Sequence, residues 1–153
     1  MNRYEEMKSR QQKEFNDFPI YFAFGNEQIN RVLKELDLNT DRESERYFAN
    51  HTVSIGYGGF ILKKDKDAFT EMLKRHEGET KAAIADDETG EGFIYEMFKS
   101  ALGDTEYCYD LDYTRAFDAL GYSEKEVVND SRLLAGFKKA KQELDDWRKS
   151  DEY

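Results

Sequence analysis

Between positions 86 and 112 stand Asp86, Asp87, Glu88, Glu91, Glu96, Asp104, Glu106, Asp110 and Asp112, against one base, Lys99. The local charge is −8, out of −10 for the whole chain. Phe93, Tyr95, Phe98, Tyr107 and Tyr109 are threaded through the same stretch. Two chemistries suit these residue types. One is recognition: an acidic surface repels nucleic acid and steers basic protein surfaces. Tyrosines within it add contact area at small entropic cost. The other is divalent-metal chemistry on phosphoesters, with Asp104, Glu106, Asp110 and Asp112 as oxygen ligands. A plainer alternative is charge balance, in which Arg132, Lys138, Lys139 and Lys141 lie against the carboxylates. Surface pairs of that kind contribute only about 0–1 kcal/mol each.

Other constellations are weaker. Residues 37 to 43 (DLNTDRE) imitate the start of a calcium loop, but Arg42 and Phe48 stand where glycine and a bidentate glutamate belong. His76-Glu77 lacks the second histidine of a zinc helix, because Thr80 occupies that position. His76 falls on an apolar stripe, which predicts a packed, hydrogen-bonded ring. His51 and Cys108 are too scattered to indicate a transition-metal site. Carboxylates around Cys108 suppress its thiolate, so nucleophilic catalysis is not indicated. Gly56, Gly58 and Gly59 have no phosphate-loop spacing, and Lys63 and Lys64 follow them in an expected strand rather than at a helix start. No metal or cofactor is called for.

These residues need elements to hold them. Tyr4, Met7, Gln11 and Phe15 share a face of a helix over 3–15, which Phe18-Pro19 terminates. IYFAFG (20–25) is a strand or an extended plug. Asn26 caps a helix over 27–37 whose apolar stripe is Ile29, Val32, Leu33 and Leu36. A polar connector fills 38–50. TVSIGYGGFIL (52–62) is a small hairpin turned by glycines. A long helix over 65–85 carries Phe69, Met72, Leu73, His76, Thr80, Ala83 and Ile84, with Gly78 as a weak point.

A turn at 86–90 leads to a helix over 91–102. It buries Phe93, Ile94, Met97, Phe98, Ala101 and Leu102, and turns Glu91, Tyr95 and Lys99 outward. A loop covers 103–111. A helix over 112–120 points Tyr113, Phe117 and Leu120 inward and ends at Gly121 as its left-handed stop. Ser123 to Glu126 form a capping box. The last helix, 131–148, places Leu133, Phe137, Ala140, Leu144 and Trp147 on one face.

A chain of 153 residues fits one domain, with fraying expected before about Tyr4 and after Trp147. Its aromatic content of 14% points to an aromatic-rich core. One cysteine permits no internal disulfide, which suits a reducing cytosol. No signal-like N-terminus and no apolar run of membrane-spanning length is present. A pI of about 4.8 argues against direct nucleic-acid binding.

Several segments, taken in order, resemble a family of small acidic proteins from phages and conjugative elements of Firmicutes. They are MNRYEEMKSRQQKEFNDFP at the start, FAFGNEQ (22–28), SIGYGGFI (54–61), GEGFIYEMF (90–98), the following EY, and DALGYSEKEV (118–127). The resemblance covers most of the chain and carries over no catalytic residue. It implies a mobile-element setting, in which proteins of this size and charge often inhibit host defence proteins. Anti-CRISPR proteins that occupy a DNA-binding channel are one example.

The expectation is therefore an α+β, predominantly α-helical single domain with one small hairpin. It is a cytoplasmic, non-enzymatic binding protein acting in a bacterial host. Its partner is a basic protein surface, such as that of a host nuclease, with no membrane and no direct nucleic-acid partner. The expected contact residues are Asp104, Glu106, Tyr107, Tyr109, Asp110 and Asp112, supported by Asp86, Asp87, Glu88 and Glu91. The alternatives are the carboxylate-metal hydrolase and an accessory protein whose acidity has no binding role.

Overall fold

The computed structural model describes residues 1–23, 25–35 and 50–151. The fold is α+β and predominantly α-helical, with a small antiparallel sheet. Its elements are α1 (Arg3–Asp17), β1 (Tyr21–Phe22), α2 (Asn26–Glu35), β2 (Thr52–Gly56), β3 (Gly59–Leu62), a 3-10 turn (Lys63–Asp65) and α3 (Lys66–Asp86). Then follow α4 (Phe93–Asp104), α5 (Tyr107–Asp110), α6 (Thr114–Leu120), α7 (Glu124–Asn129) and α8 (Ser131–Asp151). The connector read at 38–50 lies outside the described residues, apart from Asn50.

The chain divides into two units. The first comprises Met1–Arg10 with Gly78–Tyr153, and its core is aromatic. Phe98, Phe117 and Phe137 meet pairwise, edge to face, with centroids 4.7 to 5.9 Å apart. Tyr113 joins them 5.2 Å from both Phe117 and Phe137. Ile94, Met97 and Leu102 of α4 and Val127 of α7 complete this core. α4 packs chiefly on α8. The first turn of α1 is tied to α4 by Asn2, whose Nδ2 donates to the Glu96 carbonyl and Ser100 Oγ, and by the Arg3–Glu96 ion pair at 2.9 Å.

The second unit, Gln11–Glu77, holds the sheet in the order β1-β3-β2. The hairpin predicted at 52–62 is present, and the IYFAFG run supplies a third strand through Tyr21↔Phe60 and Phe22↔Gly59. Ile61, Phe69 and Met72 form a small core, packed by Phe15, Phe18, Ile20, Val53 and Ile55. His76 is a packed ring, 11% exposed, with Nε2 3.0 Å from Glu14 Oε2. Glu14 also accepts from Arg75, and these partners pull its carboxyl down to about 2.

Some expectations need correction. Lys63 and Lys64 are not in a strand; they form the 3-10 turn that runs directly into α3. The stretch 103–111 is not an open loop, because α4 extends to Asp104 and α5 follows. Leu73, expected in the core, is exposed. The last helix, read over 131–148, extends to Asp151. Gly121 and Ser123 behave as read. Gly121 stops α6 at φ 81°, and Ser123 exchanges both capping-box bonds with Glu126.

Candidate functional site

The acidic segment builds two sites, at opposite ends of α4. Twelve helical residues at 1.5 Å rise separate them by about 18 Å. At the N-terminal end is the turn 86–92. Asp87 is its organiser: Oδ1 accepts from the Gly90 N–H at 3.0 Å, and Oδ2 accepts from Gly92 and Ile94 at 3.1 and 2.9 Å. Burial opposes ionisation of this carboxyl. The N–H bonds from Ile94, Gly90 and Gly92 outweigh it and hold the group below the usual range. Asp87 thus supplies acceptors that the start of α4 lacks, and it has little left to offer a partner.

Two glycines let this turn lie against α8. A Cβ on Gly90, whose φ is 84°, would collide with the Arg132 carbonyl. A Cβ on Gly136 would meet the Gly90 carbonyl oxygen at 2.5 Å and Ile94 Cγ2 at 2.6 Å. Arg132 completes the joint, with Nη1 donating to the carbonyls of Ile84, Ala85 and Asp87 at 3.0 to 3.2 Å. Its guanidinium therefore closes the C-terminal end of α3.

Among the described residues, Arg132, Lys138, Lys139 and Lys141 of α8 make no ion pair with the carboxylates of the acidic segment. Lys139 Nζ donates to the Glu91 carbonyl and stands 4.3 Å from the Tyr95 ring centroid. Lys141 pairs with Asp145 one turn along its own helix. Tyr95 donates to Glu143, which also faces Lys99 at 3.6 Å. Among the described residues, the carboxylates of Asp86, Glu88, Glu91, Asp104 and Glu106 have no cationic partner within ion-pair distance.

At the other end of α4, the single turn α5 sorts its two tyrosines. Glu106 and Leu111 bracket it with left-handed backbone, φ 60° and 61°. A non-glycine residue there costs about 1 kcal/mol. In return, Tyr107 and Tyr109 point to opposite sides. Tyr107 is 2% exposed and donates to Asp145 Oδ1 at 2.7 Å; burial and that carboxylate push its phenol up. It belongs to the core, so its expected role as a surface anchor is corrected. Tyr109 is 88% exposed.

Asp110 is held by Arg115 at 2.7 Å. Asp112 accepts from the Thr114 N–H and hydroxyl, which hold its carboxyl below the usual range. Both are therefore engaged within the fold, and the four carboxylates of the hydrolase reading do not converge on one point. Among the described residues no cluster of three or more His, Cys, Asp or Glu is arranged to hold a metal ion.

Trp147 keeps the spacing of the inward stripe of the last helix, three residues after Leu144. It is 57% exposed instead, because α8 outruns the core there. It joins Tyr109, Cys108, Arg148 and Asp151 around a groove of about 300 Å³. Leu111 is also exposed, at 45%. Asp104 ends α4 and Glu106 precedes α5, so both exposed carboxylates lie within five residues of Tyr109 along the chain. Reading α5 as a helical turn would have revealed the Tyr107/Tyr109 split. No local signal marks Trp147.

Among the described residues, no helix is long and apolar enough to cross a membrane. A model of a family described as a family of unknown function (DUF7659) matches residues 3–143. No curated protein and no solved structure matches the chain.

Proposed function

The chain belongs to a family of unknown function, DUF7659, and we propose that this member is a non-enzymatic binding protein. Its acidic, aromatic corner docks onto a basic protein surface in the cytoplasm of a bacterial host. One observation carries this reading: Tyr109 and Trp147 stay exposed around one groove, which Arg148 and Asp151 also line, with Tyr109 a few residues along the chain from the exposed carboxylates of Asp104 and Glu106. Large exposed aromatics in a charged setting are the usual anchors of an interface, while the charges steer approach. Tyr109 and Trp147 are the anchors of this proposal, and Asp104 and Glu106 its steering charges. Asp86, Glu88 and Glu91 make a second acidic spot, about 18 Å away. Arg3 lines one hollow with Asp86 and Glu88, and Lys99 on α4 faces Glu143, so cations interrupt the negative charge. That favours docking at a local basic patch over imitation of a continuous nucleic-acid backbone.

The mobile-element resemblance extends the proposal. The partner would be a nucleic-acid-binding protein of host defence, such as a nuclease, and the chain its inhibitor. The test compares wild type with Tyr109→Ala/Trp147→Ala and with Asp104→Lys/Glu106→Lys as baits for host-cell proteins. One prey should be retained at low salt and depleted at roughly 0.5 M salt, where charges are screened. Each double variant should lower its retention at least about tenfold with an unchanged melting profile. Equal retention by all three baits would overturn the reading.

A further inference from the structure

The second unit contains a cavity of about 450 Å³ that differs in chemistry from the acidic corner. That volume lies within the range of small-molecule sites, roughly 300–1,000 Å³. One wall is apolar and fixed. Tyr21 is paired to Phe60 across β1 and β3, and its ring packs 5.7 Å from the Phe60 ring. Pro19 and Leu62 extend this wall, and the His51 ring lines it too. Lys63 and Lys64, adjacent in the 3-10 turn, also line the cavity. Among the described residues neither ammonium has a carboxylate partner, although the whole chain carries a charge of −10. Both precede the first turn of the 21-residue helix α3, whose dipole adds to the positive potential, although the Lys66 N–H already donates to the Lys63 carbonyl. Asp65 also lines the cavity and can accept hydrogen bonds from a ligand's hydroxyl or N–H groups.

From this arrangement we propose a binding site for a nucleoside monophosphate. The ligand must combine three features. A flat or apolar body fits against Tyr21, Pro19 and Leu62. A compact dianion suits two adjacent lysines, which act as point charges toward phosphate. Hydroxyl donors suit Asp65. A fatty acid lacks the donors, and inorganic phosphate lacks the body. The acidic chain repels a long polyanion, so the free mononucleotide is the form that binds. This site rests on residues apart from those of the docking corner, and either proposal can fail without the other.

The experiment is an amide-shift NMR titration of the full chain with adenosine monophosphate, uridine monophosphate, adenosine and inorganic phosphate, repeated on Lys63→Gln/Lys64→Gln. Both lysines are exposed, so the variant should keep its fold and its spectrum outside the site. The expected result is saturable movement of the Tyr21, Lys63 and Lys64 amides with a monophosphate, with adenosine and phosphate each about tenfold weaker. The double variant should lose about tenfold in monophosphate affinity and bind adenosine as before. Absence of saturable shifts overturns the proposal. So does unchanged binding by the variant, or phosphate binding as tightly as the nucleotides.

Discussion

The two units spend their carboxylates differently. The first has thirteen basic and twenty-one acidic residues, a net charge of −8; the second has ten and twelve, a net charge of −2. In the first, much of the acid is structural. Asp87 holds the start of α4, and Asp130 accepts from the Arg132 and Leu133 N–H groups at the start of α8. Asp112 does the same at α6, and Asp145 joins Tyr107 to Lys141. Short helices have many starts, and each start has orphan donors that a carboxylate satisfies. The second unit has fewer helices and a smaller core, and its best-connected acid, Glu14, bonds to side chains. A raw charge count thus overstates the free acidic surface of the first unit and understates the basic cavity of the second.

Three measurements would break or sharpen this contrast. The largest effect should come from Phe137→Ala, which empties the centre of the aromatic cluster and should cost about 3–5 kcal/mol in urea unfolding. Hydrogen exchange should then accelerate in 93–151, and the 11–77 amides should respond less. Uniform acceleration would mean that the units unfold together. Next is Asp87→Ala, which strands three backbone N–H groups and should cost about 2–3 kcal/mol. Glu88→Ala, at an exposed neighbour, should change stability by less than about 0.5 kcal/mol. Equal costs for the two would refute the division between structural and free carboxylates.

The smallest effect is a pH dependence in the second unit. The folded-state pKa of Glu14 is depressed from 4.5 to about 2. Its stabilising contribution is therefore complete above about 4.5 and is lost as pH falls toward 2. Glu14→Gln should flatten that part of the acid-unfolding profile. A profile identical to wild type would show that the Arg75 and His76 contacts contribute nothing to stability.

Local patterns made much of the fold legible. The 3.6-residue spacing located the amphipathic helices, the glycines located the hairpin, and Ser123 with Glu126 announced its capping box. What stayed hidden depends on neighbours distant in sequence. Asp87 and Glu88 are alike in a charge count, yet only the turn back to Gly90, Gly92 and Ile94 makes Asp87 a cap. Arg132 closes a helix end 45 to 48 residues away in sequence rather than pairing with carboxylates. Trp147 keeps the spacing of the buried stripe, but the core stops before reaching it. At the cavity, strand propensity up to Leu62 hid the 3-10 turn that brings both lysines to a helix start.

The contact of Gly90 with Gly136 also bears on how the family can vary. No side chain, however small, fits at either point without displacing backbone. Drift at one position is therefore not repaired by a smaller neighbour at the other, since both are already minimal. Relatives built on this same joint should carry glycine at both places. A relative with alanine at either should show a longer 86–92 turn or a shifted last helix, and a simple alignment of family members can sort them on that basis.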